Sequence, residues 1–106
     1  MQTDFCIVFC TVPNQEVAEH IATHVLNHRL AACVNIVPGL QSLYIWENEL
    51  RRGDELLMKM KTHQSKLNEL EREIVKVHPY EFPEFIVSPI MYGNQNYLDW
   101  VSSVVS

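Results

Sequence analysis

Three cysteines and five histidines supply the side chains best suited to metal or redox chemistry. Cys6 and Cys10 fall on one face of an apolar run. Four residues of extended strand set them about 13 Å apart, too far to share one ion. Free cysteine usually packs as a small apolar residue, and Cys6 reads that way. Cys10 differs because it comes at the strand's end, where a sheet opens to its loops. Cys33 starts a neighbouring strand, and His78 ends a predicted helix. A thiolate with an imidazole suits copper or zinc. Only the fold can bring Cys10 and His78 to one side. His20, His24 and His28 stand at i, i+4 and i+8. Two histidines so spaced can chelate a divalent ion such as nickel or copper. They lie opposite the helix's apolar stripe, with Glu16 and Asn27, and read as a solvated polar face.

Signatures of catalysis are missing. A phosphate-handling site on this kind of scaffold needs a glycine- or arginine-rich loop after the first strand. Here that loop is Thr11-Val12-Pro13-Asn14. No P-loop, GxSxG or Cys-His-Asn pattern occurs. Glu84 and Asp99 have no obvious acid partner. The sequence points away from an enzyme. It has no CxxC, and three cysteines do not form a disulfide framework.

The bulk numbers agree with a small cytoplasmic domain. The chain has 106 residues, 47% of them hydrophobic and 20% charged, which fits one folded domain spanning residues 1–106. Its net charge of -5 and the acidic neighbours of Arg51-Arg52 disfavour nucleic acid. The apolar run 5–9 is too short to cross a bilayer. Without a basic segment before it, no leader is expected.

Several elements must position these groups. The β-branched and aromatic run 4–12 predicts a strand, stopped by Pro13. Asn14 can cap a helix whose stripe is Val17, Ala18, Ile21, Ala22, Val25 and Leu26, running to about Leu30. Strands follow at 31–37 and 40–46, with Pro38-Gly39 bending or bulging the join. Residues 47–54 read as a polar turn, and 55–61 as the returning strand of a long hairpin. Thr62 can cap a second helix with Leu67, Leu70, Ile74, Val75 and Val77 inward, ended near Val77 or His78 by Pro79. Residues 84–91 predict a strand and 94–105 a final helix. All three glycines fall at expected junctions or turns. The order β-α-β-β-α-β predicts an α+β, ferredoxin-like sandwich with both helices on one face, plus a C-terminal helix.

The hairpin carries apolar residues on both faces: Leu43 and Ile45 on one, Tyr44 and Trp46 on the other. Leu56, Met58 and Met60 share a face of the returning strand. Two helices cover only one face of a sheet, so the surplus predicts a subunit interface.

Six blocks carry a family resemblance: CTVP (10–13), LAACVNIVPG (30–39), SLYIWENEL (42–50), MKMKT (58–62), HPYEFPE (78–84) and YGNQNYLDW (92–100). In order and spacing, across essentially the whole chain, they resemble the CutA divalent-cation tolerance family. The resemblance implies a cytoplasmic homotrimer of PII-like architecture, with strands paired across subunits. It also implies a part in tolerance of copper and other divalent ions. It assigns copper to Cys10 and His78; with one imidazole in place of two, such a site would be weaker or would need help from another subunit, from Cys33 or from a carboxylate such as Glu84. The chain departs from the family at Val77, where copper-binding relatives carry another histidine, and at Asn48, where many carry glycine. The alternative that the resemblance leaves open is a PII-like sensor of small molecules or proteins, with Trp46, Tyr80 and Glu84 lining a cleft between subunits and no metal role.

Overall fold

The structure is a computed structural model that describes residues 3–106. Its elements are β1 (Phe5–Val12), α1 (Gln15–Asn27), β2 (Cys33–Trp46), β3 (Glu49–His63), a 3-10 turn (Gln64–Lys66), α2 (Leu67–Val77), β4 (Ile86–Pro89) and α3 (Gln95–Val105). The strands form one sheet in the order β2-β3-β1-β4. Every neighbouring pair is antiparallel. This is the ferredoxin-like arrangement that the element order predicts.

The helix-facing side of the sheet follows the alternation of β1. Cys6, Val8, Cys10 and Val12 are buried, and Met58 and Met60 of β3 lie level with Cys10 and Val8. Ala18, Ile21, Ala22 and Val25 of α1 close over them, with Leu70 and Ile74 of α2. Of the stripe expected for α1 these four are buried, and Val17 and Leu26 at its ends are half-buried. Asn14 caps α1, its side-chain oxygen accepting from the Val17 N–H at 2.8 Å. The third helix packs on the opposite face, where Val101 and Val105 meet Ala32 and Phe5.

Several boundaries differ from expectation. Helix α1 ends at Asn27, and Arg29 turns the chain with φ 58. Residues 49–54 are strand rather than turn: the hairpin reverses at Glu47 and Asn48 alone, both at positive φ. Two central residues with φ > 0 match a type I′ turn, whose twist suits a tight hairpin. Gly53 accordingly lies inside β3, opposite Ser42. The bulge falls where Pro38-Gly39 predicts it: the register slips between Val37 and Leu40, and Gly39 takes φ 81. Thr62 caps no helix. It is buried at the end of β3, and its hydroxyl donates to the Leu30 carbonyl at 2.7 Å. His63 caps the 3-10 turn instead. The last strand is only Ile86–Pro89, an edge partner of β1.

The distal half of the hairpin extends past the helices. Leu43, Tyr44, Ile45 and Leu50 are exposed there, Ile45 and Leu50 by 67% and 71%. The apolar surplus expected of the hairpin is thus present in Leu43, Tyr44 and Ile45. Met58 and Met60 are instead core.

Candidate functional site

The corner 78–84 wraps over the end of β1 and meets the hairpin. His78 follows α2 and leaves the helical conformation, with ψ 138, as its proline neighbour requires. Its ring is buried. Nε2 lies 2.9 Å from the Thr11 carbonyl, so it carries the proton and donates. Nδ1 then accepts from the Tyr80 N–H at 3.1 Å. The Tyr80 ring packs 4.6 Å from the imidazole, centroid to centroid. Tyr80 next donates its hydroxyl to Glu55 Oε2 at 2.7 Å. One run of contacts therefore ties α2, β1 and β3 together.

Cys10 lies one residue before Thr11, so the fold does bring Cys10 and His78 to one strand end. The Cys10 side chain is fully buried. Burial, and then Glu84 and Glu55 nearby, push its thiol up to about 12. A thiol is a metal ligand only as thiolate. In this conformation the pair offers no free donor: the thiol keeps its proton, and both ring nitrogens of His78 are engaged. Cys33 stands apart. It pairs across β3 with Lys61, level with Ile7, and so occupies the face opposite Cys10. Three strand positions add about 10 Å of separation. Within one chain Cys33 cannot join Cys10. Val77 packs against the main core, which explains an apolar residue there.

On the outer face the same corner encloses a cleft of about 660 Å³. Trp46, Tyr80 and Glu84 all line it, with Arg51, Glu55 and Phe82. Trp46, Tyr80 and Glu84, expected to line a cleft between subunits, line this cleft of the single chain. Phe82 packs edge-on against Trp46 at 5.5 Å. Glu84 is the anomaly. Its Oε1 is buried and has no hydrogen-bond partner among the described residues. Burial, and then Glu55, raise its carboxyl above the ordinary range. An unpaired buried oxygen costs free energy that a bound cation or donor would recover. Tyr80 is raised by burial and by its bond to Glu55. Glu55 thus opposes ionisation of Glu84 in the same cleft, and Arg51 on its wall brings a positive charge.

Sequence reading missed Glu55. It stands 25 positions before its partner Tyr80, and no local pattern marks it. It also missed that the three histidines of α1 are not equivalent. His20 and His28 are exposed, whereas His24 is half-buried and its Nε2 lies 2.8 Å from Glu73 Oε1 on α2.

Comparison with known proteins places this geometry. The family model described as CutA1 divalent ion tolerance protein matches residues 6–104. The divalent-cation tolerance protein CutA of Thermus thermophilus is 46% identical over 95 residues, covering 90% of this chain and 92% of that protein. The chloroplastic CutA 1 protein of Oryza sativa is 41% identical over 92% of this chain, which spans 55% of that longer protein. The crystal structure of CutA from Xylella fastidiosa superposes with a TM-score of 0.96 at 31% identity, covering 98% of this chain and 100% of that one. The family model spans nearly the whole chain and the identity holds over matched lengths, so the chain belongs to the CutA1 divalent ion tolerance family.

Proposed function

We propose that this chain is a non-enzymatic, cytoplasmic homotrimer of the divalent-metal response, and that the corner cleft is where the cation acts. The observation that carries this reading is the buried, unpartnered Oε1 of Glu84, beside Glu55 and a few residues from His78. Carboxylate oxygens accept hard and borderline divalent ions. Cys10 and His78 lie behind them. They enter the ligand set only if the thiol loses its proton and His78 Nδ1, which holds the ring's lone pair, releases the Tyr80 N–H. That thiol and imidazole make copper the first ion to test. The exposed hairpin residues Leu43, Ile45 and Leu50 support assembly, and the three free cysteines suit a reducing compartment.

The test is titration of Cu(I) and Cu(II) into the parent and into Glu84→Gln, Cys10→Ala and His78→Ala. Weaker binding in Glu84→Gln is expected. Affinity unchanged in all three variants would remove the cleft from the account.

A second reading uses the same cleft without metal. Its volume lies within the usual range for small-molecule sites. Trp46 and Tyr80 supply flat apolar walls and Arg51 a cation. A metabolite that raises the melting temperature while divalent ions do not would favour this sensor reading, since a ligand specific for the folded state stabilises it.

A further inference from the structure

Away from the corner, α1 and α2 present a second group of donors. His24, His28 and Glu73 each offer one ligand atom, and these three atoms lie within 4.8 Å of one another. From this juxtaposition we infer a separate surface site for a borderline divalent transition ion, such as zinc or nickel, formed by His24, His28 and Glu73. It does not depend on the corner cleft.

The local chemistry prepares each donor. His24 and His28 are one helical turn apart on α1, a spacing that puts both rings on one side. The rings lie 4.4 Å apart, centroid to centroid. His28 Nδ1 is 2.8 Å from the His24 carbonyl. A carbonyl can only accept, so Nδ1 carries the proton and Nε2 keeps a lone pair. A ligating histidine typically anchors its other ring nitrogen in this way. Glu73 faces His24 from α2, with its side chain 14% exposed. That contact, Nε2 to Oε1 at 2.8 Å, aims the carboxylate at the ring nitrogen a cation would bind. The cation takes the position of the proton now between His24 Nε2 and Glu73 Oε1. That proton shifts to His24 Nδ1 in a neutral ring, or leaves to solvent from a protonated one.

Two imidazoles and one carboxylate are a familiar donor set for zinc, with water completing the shell. Bonds of about 2.0–2.1 Å set neighbouring donors roughly 3.3 Å apart in a tetrahedral shell. The widest pair must therefore close by up to about 1.5 Å and the His24–Glu73 pair, now at 2.8 Å, must open by roughly half an ångström; the exposed ring of His28 can supply the first by turning about its anchored Nδ1. One charge opposes the ion. Lys76 Nζ lies 3.4 Å from Glu73 Oε2. It occupies the second carboxylate oxygen and repels a cation, so Glu73 binds through Oε1 alone. His20, a further turn away, is outside the group.

The experiment is calorimetric titration of Zn²⁺ and Ni²⁺ into the metal-stripped full chain and four variants, with circular dichroism confirming the fold of each. One ion per chain is expected at this site. His28→Ala and Glu73→Gln should each weaken it about tenfold or more, since even outer-shell losses cost 10–100-fold. Lys76→Met should tighten it, and Cys10→Ala should leave it unchanged. Affinity unaltered by either His28→Ala or Glu73→Gln would overturn the assignment. So would loss of this binding in Cys10→Ala. Glu84→Gln, which tests the cleft, touches none of these ligands, so the two readings can fail independently.

Discussion

Replacing His78 with alanine should open the corner without disturbing the sheet. The substitution removes the donation to the Thr11 carbonyl at 2.9 Å and the acceptance from the Tyr80 N–H at 3.1 Å. Each bond contributes about 0.5–1.5 kcal/mol net, and a buried group left unpaired costs about 1–3 kcal/mol. The part-buried Thr11 carbonyl and the Tyr80 amide can partly recover water. The expected loss is therefore about 2–3 kcal/mol. Urea unfolding of parent and variant at one protomer concentration measures it, because oligomer stability depends on concentration. A second readout is specific to the corner. A thiol held at about 12 carries roughly a thousandth of the thiolate of an ordinary cysteine. Cys10 should resist alkylation in the native parent and react in His78→Ala before global unfolding. A loss below about 0.5 kcal/mol, or a Cys10 no more reactive than in the parent, would refute the claim that His78 pins this corner.

Other consequences are smaller or simpler. Glu84 keeps its proton more readily in the folded chain, so its favourable contribution exists below the ordinary carboxylate range and is lost as pH rises through the raised value. With a chelator present, Glu84→Gln should be more stable than the parent at pH 7.5, with the difference vanishing in acid; urea midpoints at both pH values check this. Glu47 holds φ 52 without a side chain suited to it. Changing Glu47-Asn48 to Asn-Gly, the favoured type I′ pair, should stabilise the hairpin by about 1 kcal/mol, read as a shift in melting temperature. Sedimentation at micromolar concentration should give three times the 12.3 kDa chain mass, and Ile45→Asp with Leu50→Asp should shift it toward one. A parent sedimenting as a single chain would end the trimer proposal.

The parts of this fold that packing dictates could be read from residue types. Val17 to Val25 bury where their spacing says, and Pro38-Gly39 bulges the strand, because Pro lacks a donor and Gly39 reaches positive φ. Reading failed where solvent meets both sides of an element. Residues 49–54 are polar apart from Leu50 and Gly53, and that arm of the hairpin is largely exposed, so the alternation that marks a half-buried strand is weak there. Thr62 looked like a cap because a hydroxyl before an apolar stripe usually is one. Its actual partner, the Leu30 carbonyl, is 32 residues away. The site followed the same division. Trp46, Tyr80 and Glu84 were nameable as cleft residues, yet the pairing of Tyr80 with Glu55 is a tertiary fact. The polar face of α1 was recognised, but only the approach of α2 shows that Glu73 completes a donor set there.

A divalent cation acting in the cleft must touch Glu84. Crystals of the parent grown with Cu(II) and measured at the copper absorption edge show whether it does. An anomalous peak is expected on the Glu84 carboxylate, inside the cleft lined by Glu55 and Tyr80. Copper bound elsewhere on the chain, with no peak at Glu84, would overturn the proposed site.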